Sequence, residues 1–146
     1  MELNQALVDA ATDLLQSYFP GDQGIAAAAY TESGALLTSV VFDPDWGGAG
    51  LCAETGAILE AVKRKERITA IVCVGRLGGD EPVVLLTPCG ICQERLIHFG
   101  ADVQIAVPDV DDPTQWQRKL LREVQPFYWV NGYRQIYPDL EEQLHA

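Results

Sequence analysis

The stretch LLTPCGICQERL, residues 85 to 96, sets Cys89 and Cys92 three apart behind Pro88, at the end of an apolar run. Earlier in the chain, GLCAETGAILEAV puts Cys52 directly after a glycine-rich loop, with Glu54 two residues later. Thiolates are soft donors that suit Zn2+, which closes a tetrahedron with four ligands. Three cysteines leave one corner open. An open corner beside a carboxylate is the pattern of a hydrolytic zinc, in which the metal acidifies a water and the carboxylate moves its protons. Two plainer readings stand beside this one. The three cysteines are buried thiols, free cysteine being among the most buried residue types; or Cys73 completes a closed structural zinc. Cys73 falls mid-strand in AIVCVG, where a small core residue is expected and no turn presents it. Alone, Glu54 reads as a first-turn carboxylate favoured by the helix dipole. Two residues after a candidate ligand, it reads as a proton carrier.

The elements that must hold these residues follow from apolar spacing. Leu3, Leu7, Ala10, Ala11, Leu14 and Leu15 keep a helical period that stops at Pro20-Gly21. Residues 25–31 and 35–42 read as strands joined by a hairpin-like turn around Gly34. DPDWGGAG, residues 43–50, is a turn-rich loop; a helix over 52–64 follows, then a β-branched strand over 68–74. Beyond a loop at 75–81 come a strand over 82–86, a helix over 89–99, a strand over 103–107 and a short helix over 114–123. Cys52 and the Cys89/Cys92 pair thus each open a helix, where unpaired N–H groups and the positive dipole end favour anionic sulfur. Strands alternating with helices from residue 52 onward argue for an α/β sandwich whose sheet is partly parallel.

At 146 residues, with 48% apolar, the chain reads as one globular domain over 1–146. Residues 125–146 form an aromatic tail whose Phe127, Tyr128, Trp129 and Tyr133 suit packing on the body or on a neighbouring subunit. No apolar run is long enough to span a bilayer. The N-terminus carries no cationic stretch before an apolar core, so the expectation is a cytoplasmic protein with reduced or metal-bound thiols and no membrane partner. A net charge of −11 repels polyphosphate, so nucleic acid is not the expected partner; a small neutral or cationic molecule fits better. His98 reads as a surface or interface residue, His145 as part of a frayed end, and Glu94 and Arg95 as helix-surface charges.

C-A-E at 52–54 followed by P-C-G-x-C at 88–92 resembles the cytidine deaminase superfamily in its small three-cysteine form, which includes cytidine deaminases and blasticidin S deaminase. The small-residue hairpin IAAAAYTESGALLTS belongs to the same resemblance, which runs from about Ile25 to Val107. It implies a three-layer α/β/α cytidine-deaminase-like fold on a mixed, roughly five-stranded sheet, assembled as a homotetramer. It also implies one zinc per chain on Cys52, Cys89 and Cys92, with Glu54 as the proton shuttle. The reaction implied is hydrolytic deamination of a cytosine-like ring, with the backbone around Ala53 and Thr87 beside the base edge.

Departures from the nucleoside-using pattern bear on the substrate. Val41 stands where relatives carry an Asn that holds ribose, and Asp43 where they carry a Glu. Gln23 replaces an aromatic that stacks on the base. Thr55 stands in place of the Arg that follows C-A-E and bonds a ligand thiolate, and Gln93 in place of the Arg after the second motif cysteine. Trp46, in the loop before Cys52, offers a replacement stacking face; packing at a subunit contact is its other reading. The expected substrate is a small cytosine-like compound: cytidine, a modified or N4-substituted cytidine, or an aminopyrimidine nucleoside antibiotic. The alternatives are a free base or another amino-heterocycle, and a non-catalytic zinc-bound assembly module. Editing of RNA or DNA is disfavoured by the charge and by the lack of a basic aromatic channel.

Overall fold

A computed structural model of the chain describes residues 1–44, 48–134 and 136. The first helix, α1, spans Gln5–Tyr18 and starts where the Asn4 side chain accepts the Leu7 N–H at 3.1 Å. Its apolar stripe of Leu7, Val8, Ala11 and Leu15 is buried. β1 (Gly24–Thr31) and β2 (Leu36–Val40) pair antiparallel from Ala26↔Val40 to Tyr30↔Leu36. The turn between them needs Gly34 at φ +86°, and the Thr31 hydroxyl accepts the Ala35 N–H at 3.2 Å to lock it. Helix α2 (Glu54–Arg64) leads into β3 (Ile68–Arg76), the long central strand, followed by the two-residue β4 (Val84–Leu85). Helix α3 (Gly90–Leu96) continues as a 3-10 turn, Ile97–Phe99, into β5 (Gln104–Pro108). β6 (Trp116–Leu120), the one-turn α4 (Leu121–Val124) and the short α5 (Asn131–Arg134) complete the described chain.

The sheet runs β2-β1-β3-β5-β6, with β4 pairing one end of β3. Only β3 and β5 are parallel, and α3 provides their crossover; every other named pair is antiparallel. Strand alternation builds two cores. Ala26, Ala28, Tyr30, Ala70, Val72 and Val74 turn toward α1, while Ala29, Leu37, Ile68, Ile71 and Ile105 pack with α2 residues Ala57, Ile58 and Ala61 and with Leu96. The layers are helix, mixed sheet, helices, the α/β/α arrangement expected. Five strands form the main ladder, as the roughly five-stranded expectation had it, and the short β4 adds a sixth off its path.

The largest departure is at 114–123. The expected helix is instead β6 followed by one helical turn. β6 zips onto β5 from Gln104↔Leu120 to Pro108↔Trp116 and forms the sheet edge, so Gln117 and Arg118 face solvent. Charged side chains on an edge strand guard it against foreign pairing, and in sequence they mimic a helix surface. The hairpin strand expected over 35–42 ends at Val40, and Phe42 instead bridges Leu51. Among the described residues no helix is long and apolar enough to cross a membrane.

Two charges assigned to the surface are in fact engaged. Glu94 Oε1 accepts from Tyr128 Oη at 3.0 Å and from Trp129 Nε1 at 3.1 Å, tying the start of the tail to α3 beside the buried Val130. Arg95 reaches across to α2, as described below. His98 is exposed, as its reading required.

Candidate active site

The site lies on the α2/α3 face of the sheet, where the starts of the two helices meet the end of β3. A pair of backbone hydrogen bonds, Phe42 N–H to Leu51 O at 3.0 Å and Leu51 N–H to Phe42 O at 2.7 Å, closes the loop 43–50 at its base and delivers the chain directly to Cys52. The Cys52 carbonyl accepts the Thr55 N–H at 3.0 Å, which turns the chain into α2. That turn is braced from β2. The Ser39 hydroxyl donates to the Ala53 carbonyl and accepts the Ala57 N–H at 3.0 Å. Gly56 permits this approach, because a Cβ there would sit 2.6 Å from Ser39 Cβ. On the other side, Gln93 Nε2 donates to the Pro88 carbonyl at 2.8 Å and Gln93 N–H to the Cys89 carbonyl at 2.9 Å, setting the turn that carries the second pair of cysteines.

Within this frame the sulfurs of Cys52, Cys89 and Cys92 all lie within 4.8 Å of one another. Cys52 and Cys89 approach to 3.3 Å, and Cys92 Sγ lies 3.4 Å from Glu54 Oε2. Tetrahedral zinc with Zn–S bonds of about 2.3 Å separates its sulfurs by about 3.8 Å, so the trio has the right spread for one ion. Among the described residues, this cluster does not include Cys73. Cys73 is buried on β3 beneath the same cavity. The four-sulfur closed site is therefore not the arrangement seen.

Electrostatics point the same way. At Cys92 burial first, and then the facing Glu54, push the thiol far above its usual range. Hydrogen bonding with Cys89, followed by burial, raises Cys52. At Cys89 burial pushes upward, but the backbone N–H of Cys92, the neighbouring thiols and the backbone N–H of Ile91 together hold it below the usual value. Burial, reinforced by Glu54, also raises Cys73. Glu54 itself is only 3% exposed. Carboxylate and sulfurs thus crowd into a space that no Lys, Arg or His lines among the described residues. A divalent cation supplies the charge this cluster lacks. The donor set fits zinc.

The cavity above the cluster holds about 280 Å³ and is lined by Ile25, Val41, Phe42, Asp43, Gly50, Leu51, Ala53, Leu86 and Thr87 together with Cys52, Glu54, Cys73 and Cys89. Of the expected substrate contacts, Ala53, Asp43 and Thr87 are brought to it, Asp43 and Thr87 exposed and Ala53 buried. Trp46 lies outside the described residues. Gln23 lines a neighbouring cavity of about 180 Å³, which shares Ile25 and Leu86 with the first. The apolar walls Ile25, Phe42, Leu51 and Leu86 were not singled out by sequence. For Ile25 and Cys73 the signal was available in strand alternation: Ile25 shares a β1 face with Ala27, and Cys73 a β3 face with Ile71, opposite the residues turned toward α1.

Comparison with known proteins adds to this geometry. No family model matches the chain. The chain superposes on the crystal structure of the cytidine deaminase from Bacillus anthracis with a TM-score of 0.81, at 37% identity, over 90% of this chain and 92% of that one. It belongs to the cytidine deaminase family. Within the family it carries the three-cysteine arrangement, and it is also 27% identical over 106 residues to the Bacillus cereus protein described as blasticidin-S deaminase, covering 69% of this chain and 76% of that protein. The cytidine deaminase from Mycobacterium tuberculosis, at 20% identity and a TM-score of 0.66 over 88% of this chain and 98% of that one, shares the fold. Like its family, the chain is a cytidine deaminase-like aminohydrolase.

Proposed function

We propose that the chain deaminates a small cytosine-like nucleoside by hydrolysis, with one zinc per chain held by Cys52, Cys89 and Cys92. The observation that carries this reading is the buried Glu54 carboxylate 3.4 Å from Cys92 Sγ, at the floor of a cavity open to a small molecule. Bound zinc supplies Lewis acidity that makes water nucleophilic at neutral pH. Glu54 accepts the proton that the attacking water loses and passes it to the ring nitrogen. It then carries the remaining water proton to the exocyclic amine as the C–N bond breaks, so water and amidine become carbonyl and ammonia. The backbone at Ala53 and Thr87 is proposed to hold the base edge, and Asp43 to take a sugar hydroxyl or a cationic substituent. An Asp in this place reaches less far than a Glu.

The lining favours neutral or cationic substrates, because it carries the carboxylates Asp43 and Glu54 and, among the described residues, no basic side chain. Val41 cannot bond a hydroxyl, which argues for weakened recognition of ribose and for tolerance of modified nucleosides, the blasticidin type included. The proposal keeps the homotetramer as the working assembly. Exposed Leu59 and Val62 on α2, with Phe127 and Trp129 of the tail, supply apolar surface for such contacts. The test is amine release by zinc-loaded protein and by Glu54→Gln from cytidine, deoxycytidine, cytosine, N4-substituted cytidines and blasticidin S. Turnover of one or more nucleosides by the wild type and not by the variant supports the reading; turnover of none of them sinks it. Light scattering reports the assembly.

A further inference from the structure

The guanidinium of Arg95 on α3 donates to the hydroxyl of Thr55 on α2, Nη1 to Oγ1 at 2.9 Å. Thr55 is buried, follows Glu54 directly, and bonds through its own N–H to the Cys52 carbonyl. Arg95 stands one helical turn after Cys92. One side-chain hydrogen bond therefore joins the segment that carries Cys52 and Glu54 to the helix that carries Cys92. Among the described residues no carboxylate pairs with Arg95, so its engagement is with Thr55 rather than with a surface acid. A charged donor makes this a stronger bond than a neutral pair.

We infer that Arg95 and Thr55 form a clamp that fixes the two halves of the metal site relative to each other and so sets zinc affinity and the placement of Glu54. Both are positioning residues. The inference rests on the zinc reading above. Side chains that orient ligands from outside the coordination sphere typically change metal affinity or activity by about 10–100-fold when removed. The same scale is expected here.

The experiment measures the zinc dissociation constant by chelator competition, together with kcat and KM, for wild type, Thr55→Val, Arg95→Met, the double variant and Thr55→Ser. Each of Thr55→Val and Arg95→Met is expected to weaken zinc about tenfold and to lower kcat more than KM rises. The double variant is expected to be no worse than the weaker single, because one bond is lost only once. Thr55→Ser, which keeps the acceptor, restores both quantities. Cobalt-loaded protein gives a readout free of turnover: its thiolate charge-transfer bands shift in the clamp variants and return in Thr55→Ser. If wild type binds zinc and the variants bind it equally well, or if losses in the double variant simply add, the clamp is overturned while the zinc reading stands. If wild type binds no zinc, both fall.

Discussion

Cys52 Sγ and Cys89 Sγ lie 3.3 Å apart although 37 residues separate them in the chain. Two thiols at this separation, one of them held below its usual pKa and exposed, are poised to react with each other when no metal intervenes. Zinc-stripped protein treated with oxidised glutathione is therefore expected to form the Cys52–Cys89 disulfide, and zinc-loaded protein is not. Peptide mass mapping after alkylation checks this. A disulfide involving Cys73 in its place would contradict the geometry.

Glu54→Gln preserves shape and removes the proton acceptor. The expected outcome is retention of one zinc per chain with a fall in kcat of roughly 10²–10⁴-fold, the usual worth of general acid–base help. Metal analysis alongside steady-state rates separates this from collapse of the site. A variant that lost its zinc would recast Glu54 as structural.

Gly56→Ala tests the brace from β2. The new Cβ has 2.6 Å to Ser39 Cβ, where ordinary contact needs more than 3.4 Å. Overpacking of this kind costs about 1–3 kcal/mol, and here it pushes on the turn that carries Glu54. A lowered melting temperature with reduced kcat is expected. Ser39→Ala combined with Gly56→Ala is not expected to recover stability, because the clashing Cβ remains and both bonds of the Ser39 hydroxyl are lost. A Gly56→Ala variant as stable and as active as wild type would show that the brace is not tight.

Much of this frame was readable in the sequence, and the exceptions have physical causes. Leu7, Ala11 and Leu15 repeat at helical spacing, and the runs at 25–31 and 68–74 are β-branched or small and buried on both faces, so α1, β1 and β3 were visible. β6 was not. Its Gln117, Arg118 and Lys119 belong to an edge strand with one side in water, and polar residues in a row look the same on an exposed helix. The cysteines and Glu54 were legible because their spacing carries chemistry. The Arg95–Thr55 and Glu94–Tyr128 contacts were not, because such pairs are created by the meeting of distant segments and leave no local periodicity.

Acid should strip the metal. Cys52 and Cys92 are held above the ordinary thiol range without zinc, so both are protonated at neutral pH and must lose their protons on binding. Lower pH therefore weakens zinc. With at least these two protons released, the dissociation constant is expected to rise at least about 100-fold for each pH unit lost between 8 and 6. Chelator competition across that range gives the slope, and calorimetry in two buffers of different ionisation enthalpy counts the protons. A flat profile would falsify the assignment of thiols as the binding groups.

The Phe42–Leu51 bridge has a bearing on how this scaffold diversifies. Because the two backbone bonds between Phe42 and Leu51 clasp the chain just ahead of the first sulfur, they hold the approach to Cys52 whatever residues lie between them. Exchanging those residues for a relative's is therefore expected to leave zinc affinity unchanged, and a loss of metal would show that the clasp alone does not suffice.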